Sequence, residues 1–192
     1  IIQGGMGVGI SLGNLAGHVA KNGGMGVIST AHPGYRAEDF EKNPTEVNKR
    51  ELAKEIQKAK EIAKGKGMVA INAMVAITDY AQMVEVAIKN KIDAIISGAG
   101  LPMNLPGFVK GTKVKIAPIV SSGKAARLIC KTWDRRYHVA PDFVVIEGSE
   151  AGGHLGFHKE DVLNKTTAKL ADIFKEVKET LQPFVEKYQK EI

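Results

Sequence analysis

Lys115-Ile-Ala-Pro-Ile-Val120 is followed by Ser121-Ser122-Gly123, by a helical pattern running to Tyr137, and then by Phe143-Val-Val-Ile-Glu147. Both flanking runs are short and apolar on consecutive residues instead of alternate ones. A strand buried on both faces reads that way, and such strands belong to parallel sheets covered by helices. The stretch is therefore a strand-helix-strand unit, and it places the chain in the α/β class.

The same alternation extends to the rest of the chain. Further apolar runs stand at Ile1–Gln3, Gly26–Ser29, Met68–Val75 and Ala94–Ser97. Helical patterns separate them at Asn14–Asn22, which stops at Asn22-Gly23-Gly24, and at Pro44–Lys64, where Glu51 and Glu55 support Lys54 and Lys58. Thr78-Asp79 is expected to cap a helix reaching Asn90. The Pro- and Gly-rich stretch Leu101–Thr112 is expected to hold only a short helix, and a long one is expected over residues 166–191. Six strand-helix units result, with no domain boundary or low-complexity linker among them. They would complete an open doubly wound sheet, or leave an eight-stranded barrel two units short. Periodicity alone leaves both open.

Composition narrows the function classes. Of 192 residues, 44% are hydrophobic and 25% charged, which excludes a disordered chain and allows one sizeable core. The net charge is +6, but lysines over 46–66 and 165–190 are mixed with glutamates, as on a solvated helix face. No basic block alternates with aromatics, so nucleic acid is not an expected partner. A single cysteine, Cys130, excludes an internal disulfide and sits in a helical pattern as a packed small hydrophobe. No apolar run approaches a membrane span and no leader pattern opens the chain, so the expected place is the cytoplasm. Ile1-Ile2-Gln3 reads as the middle of a strand, and the last helix runs to Ile192 with nothing after it for its apolar stripe. A single domain over 1–192, incomplete at both ends, is the expectation.

In either architecture ligands gather beyond the carboxyl ends of the strands. The residues there are Gly4-Gly5-Met6-Gly7-Val8-Gly9, Asn72-Ala73-Met74, Gly98-Ala99-Gly100, Ser121-Ser122-Gly123 and Glu147-Gly-Ser-Glu-Ala-Gly-Gly-His154. Glycine also serves tight turns, but five such loops together suit a flat ligand met by backbone amides. The phosphate-loop pattern is absent, and Gly65-Lys-Gly67-Met-Val-Ala70 precedes a strand instead of following one, which weakens the dinucleotide reading. His154 and His158 are four apart, but Gly152, Gly153 and Gly156 argue against a helix there, so no metal site is expected. His18 lies on the first helix, His32 follows the second strand and could face a ligand, and His138 lies at the opposite ends of the strands. His154 follows a strand end and two glycines that leave space beside it. It is the candidate acid or base, against an equal claim for a structural role.

Ile1-Ile-Gln-Gly-Gly-Met-Gly7, the strand carrying Asn72, and above all Glu147-Gly-Ser-Glu-Ala-Gly-Gly-His-Leu-Gly156 resemble the nitronate monooxygenase (2-nitropropane dioxygenase) family. The FMN-dependent enoyl-[acyl-carrier-protein] reductases share the pattern. The resemblance implies a TIM (β/α)8 barrel, of which about six βα units stand here. It implies FMN as cofactor, with Gly5, Met6, Asn72, Glu147, Gly152 and Gly153 against it and His154 as the catalytic residue. The activity implied first is oxidation of alkyl nitronates with O2. Reduction of enoyl thioesters with NAD(P)H is the alternative, and a non-catalytic flavin- or metabolite-binding module is the third. The expected partner is a small molecule, in a protein that can form homo-oligomers. Relatives in this family continue with two more units that hold the FMN phosphate.

Overall fold

The computed structural model describes residues 1–192. Its elements run α1 Gly13–Lys21, β1 Met25–Ser29, α2 Pro44–Ala63, β2 Met68–Met74, α3 Tyr80–Lys89, β3 Ala94–Gly98, α4 Leu105–Phe108, β4 Lys115–Val120, α5 Gly123–Tyr137, β5 Val145–Ile146, α6 Lys159–Leu163 and α7 Leu170–Tyr188. The strands follow chain order, β1-β2-β3-β4-β5, and the β1–β2 and β4–β5 pairs are parallel. Chain-ordered parallel strands with intervening helices are the α/β pattern expected of TIM-barrel units. The run Ile1–Gln3 contributes a single parallel bridge from Ile2 to Met25, extended by Gln3 N–H on the Met25 carbonyl at 3.0 Å. No helix is long and apolar enough to cross a membrane.

Two compact units divide the chain, Ile1–Ile96 with Phe108–Lys115, and Ser97–Gly107 with Ile116–Ile192. In the first, β1 is buried at every position and α1 lies on it. The approach is possible because position 26 is glycine: a Cβ there would stand 1.9 Å from the Ala16 carbonyl oxygen. Helix α2 starts where Asn43 accepts from the Glu46 N–H at 3.4 Å with Pro44 next in line, and stops at Lys64 in the left-handed region. Its apolar stripe, Val47, Leu52, Ile56 and Ala59, is buried. Asp79 does precede α3, but its side chain makes no cap bond, because its backbone (φ −96°, ψ 16°) departs from the extended form that aims a cap at the helix amides.

In the second unit Ser122 caps α5, accepting from the Ala125 N–H at 3.2 Å. Trp133 is fully buried and its indole N–H donates to the Pro102 carbonyl at 2.9 Å. Helix α7 packs back onto α5, and its stripe of Ile173, Val177, Leu181 and Phe184 is buried within this unit. Burying such side chains stabilises by about 1.5–3 kcal/mol each. Asp134 of α5 receives Lys187 Nζ at 2.7 Å and the Tyr188 hydroxyl. The strand expected at Phe143–Glu147 shortens to Val145–Ile146, paired to Ile119–Val120; upstream, the Asp142 N–H donates to the Ile116 carbonyl at 2.9 Å and its carboxylate accepts from the Ile116 N–H at 2.8 Å. Helix α6 was not visible in the periodicity; it is one short turn with no buried residue.

Candidate functional site

Within the first unit, the loop after Gln3 is built around Ser11, which is fully buried. Its hydroxyl accepts from the Met6 N–H at 2.9 Å and from Gln3 Nε2 at 2.8 Å, and donates to the Gly4 carbonyl at 3.0 Å. Gln3 Nε2 donates to the Gly4 carbonyl as well, while its Oε1 accepts from the Val27 N–H at 3.0 Å. Asn72, at the end of β2, donates through Nδ2 to the Gly5 carbonyl at 3.3 Å. A Cβ on Gly5 would stand 2.5 Å from the Asn72 Cβ, so the close approach requires glycine. Gly5, Met6 and Asn72 are thus brought together, with the Met6 side chain 46% exposed. What they leave open is the Gly5 N–H and the Asn72 Oδ1. The roles of Ser11 and Gln3 escaped the sequence reading because their bonds, to partners up to 24 residues away, follow no periodicity.

His32 does not stand free beside this loop. Its ring lies 3.5 Å from Asn48 Nδ2 and edge-on to Phe40 at 5.8 Å. His18 is bonded to the Asn14 carbonyl within α1.

Within the second unit, β5 delivers Glu147, whose backbone N–H donates to the Val120 carbonyl at 2.9 Å. Its carboxylate Oε2 accepts from the Gly156 N–H at 2.8 Å. The hydroxyl of Ser121, just past β4, donates to the Gly156 carbonyl at 2.7 Å. Between them the loop is anchored by the Thr167 hydroxyl on Ser149 at 2.8 Å and by the Ala151 N–H on the Gly148 carbonyl at 3.1 Å. Gly152, Gly153 and His154 are exposed, and their N–H groups have no partner in the chain. Added Cβ atoms on Gly152 and Gly153 would meet nothing within 4 Å, while Gly153 holds φ +93°, which favours glycine. His158 precedes α6, so His154 and His158 do not share a helix. His138 ends α5 in the left-handed region. Cys130 is buried, and burial pushes its thiol up to about 12, which leaves it inert.

A family model described as NMO, nitronate monooxygenase, matches residues 1–182. The chain belongs to the nitronate monooxygenase family. Among solved structures, this family member resembles FabK from Thermotoga maritima at 26% identity and a TM-score of 0.62, over 81% of this chain and 42% of that one. It also resembles a nitroalkane oxidase from Streptomyces ansochromogenes, at 17% identity and a TM-score of 0.69, over 93% of this chain and 55% of that one. The second likeness speaks for the fold alone. The chain spans about half the length of these solved relatives. No curated protein matches it.

Proposed function

We propose that this protein is an FMN-dependent oxidoreductase that oxidises alkyl nitronates with O2, and that His154 is its catalytic residue. The observation that carries the proposal is the Gly152-Gly153-His154 loop: consecutive unpartnered amides beside an exposed imidazole, in a chain of the nitronate monooxygenase family. The residues present fit a flat, polar-edged cofactor. Taken by itself, the first unit leaves the Gly5 N–H, the Met6 side chain and the Asn72 Oδ1 open to such a ligand; taken by itself, the second leaves the amides at Gly152 and Gly153, where an added Cβ would meet nothing within 4 Å. Within that second unit Glu147 keeps Oε1 for a ligand, Oε2 being engaged by Gly156. When bound, FMN supplies the electron and oxygen chemistry. The protein's part is to hold a nitronate anion, and His154 serves as base or electrostatic partner for it.

A second reading is favoured by the 26% identity to FabK: reduction of an enoyl thioester with NAD(P)H, in which His154 orients or protonates the acyl group. The two separate in one set of assays on the purified natural protein. Oxygen uptake with propyl nitronate is expected for the first reading, and NADH oxidation dependent on a crotonyl thioester for the second. His154→Ala should lower the supported turnover by about 100-fold, the scale of a lost general acid or base. A protein that takes up no FMN overturns both readings. Turnover unchanged in His154→Ala overturns the assignment of the histidine and leaves a non-catalytic role for the loop.

A further inference from the structure

The loop that carries His154 is tied at its far end by one peptide group. At Gly156 the N–H donates to Glu147 Oε2 at 2.8 Å, and the carbonyl accepts from the Ser121 hydroxyl at 2.7 Å. Both polar atoms of a single residue are therefore held by side chains that follow two neighbouring strands, β4 and β5. The fit is close: a Cβ on Gly156 would lie 2.6 Å from Ser121 Oγ and 3.2 Å from Glu147 Oε2, so a larger residue would displace the Ser121 hydroxyl that holds the loop. The near end is held by Thr167 on Ser149 and by the Ala151–Gly148 turn. Only the stretch between these anchors, Gly152 to Leu155, makes no bond of its own.

We propose that Ser121 and Glu147 are positioning residues, a clasp on Gly156 that closes the loop and sets where the His154 imidazole stands. A free loop with two consecutive glycines samples many arrangements. Fixing both of its ends removes most of them before a substrate arrives, and a misplacement of about 1 Å at a reacting group can cost on the order of 100-fold in rate. The proposal rests on the assignment of His154 above. It gives Glu147 a duty distinct from touching the cofactor.

Amide hydrogen exchange without cofactor tests the clasp, and kinetics of the flavin-loaded protein test the positioning. In Glu147→Ala the Gly156 amide should exchange about tenfold faster, its bond being lost. In Glu147→Ala and in Ser121→Ala, kcat should fall about tenfold or more, and in Ser121→Ala, which removes no cofactor contact, KM and the FMN Kd should stay within about threefold, because the group misplaced is the reacting one. Glu147→Gln retains a side-chain oxygen that can accept from Gly156, and should restore both readouts. An unchanged Gly156 exchange rate in Glu147→Ala overturns the clasp. An FMN Kd that rises while kcat holds overturns the positioning and makes Glu147 a cofactor ligand only. If Glu147→Ala does not fold, the kcat of Ser121→Ala decides the positioning, and its exchange rates through the 148–156 loop, faster if the clasp is real and unchanged if it is not, decide the clasp. Absence of any flavin turnover overturns the catalytic assignment, while the exchange result still decides the clasp.

Discussion

Removing one oxygen atom from the interior should loosen a whole loop. Ser11→Ala deletes the hydroxyl that receives Met6 N–H and Gln3 Nε2 and donates to the Gly4 carbonyl. The three partners do not lose equally. Gln3 Nε2 and the Gly4 carbonyl still have each other, but the Met6 N–H has no second acceptor in the chain. An orphaned donor costs about 1–3 kcal/mol, and each of the two partly compensated groups about 0.5 kcal/mol, so the expected loss is about 2–4 kcal/mol. The backbone bonds of Ser11, to the Met6 carbonyl and from the Ser29 N–H, survive the substitution, so the fold should persist. Urea denaturation followed by far-ultraviolet circular dichroism should show a midpoint lowered by about 1 M with an unchanged slope. Hydrogen exchange should show the Met6 amide, and not those of α2, opening faster by about tenfold or more. A midpoint within about 0.2 M of the parent, or a Met6 amide no faster than before, would refute the account of Ser11 as the centre of this loop.

Three other outcomes follow from the packing and the charges. Gly26→Ala places a methyl 1.9 Å from the Ala16 carbonyl and should cost about 3 kcal/mol, since strand β1 and helix α1 must part; thermal melting checks it, and a loss below about 1 kcal/mol would contradict the close contact. Burial, and then the hydrogen bond to Asp134, push the Tyr188 hydroxyl up to about 12 from its ordinary 10. The folded state therefore keeps a proton that the unfolded state gives up, so this stabilisation is whole below pH 10 and is lost as pH rises from there to about 12. Tyr188→Phe should flatten that part of the stability profile and remove the latest component of the tyrosinate absorbance. Cys130, fully buried with its thiol pushed up to about 12, should resist a water-soluble thiol reagent at pH 8 by about 100-fold relative to the denatured chain, measured as thiol release over time; rapid labelling of folded protein would contradict its packing.

Much of the fold was legible without coordinates, and the reason is local. Strand β4 was expected at Lys115–Val120 and lies there. Helices α1, α2 and α5 begin and end within a residue or two of their signals, because Gly23, Pro44 and Ser122 act on the backbone immediately beside them. Asp79 shows the limit of such signals: the residue type stood in the capping place, but its own φ and ψ kept the side chain off the helix.

The residues of the candidate site were legible as types at strand ends. Their engagements were not. Asn72 against Gly5, Ser11 under Met6, and Glu147 with Ser121 on Gly156 join positions that are 67, 5, 9 and 35 apart. By itself the sequence determined an alternation of buried strands and helices, a family motif, and a histidine beside two glycines, since periodicity and turn chemistry act over a few residues. Only the tertiary structure decided which polar atoms are already spent and which remain open. A hydrogen bond is made by whichever donor and acceptor the packed backbone brings within about 3 Å, and that choice is settled by the whole unit at once.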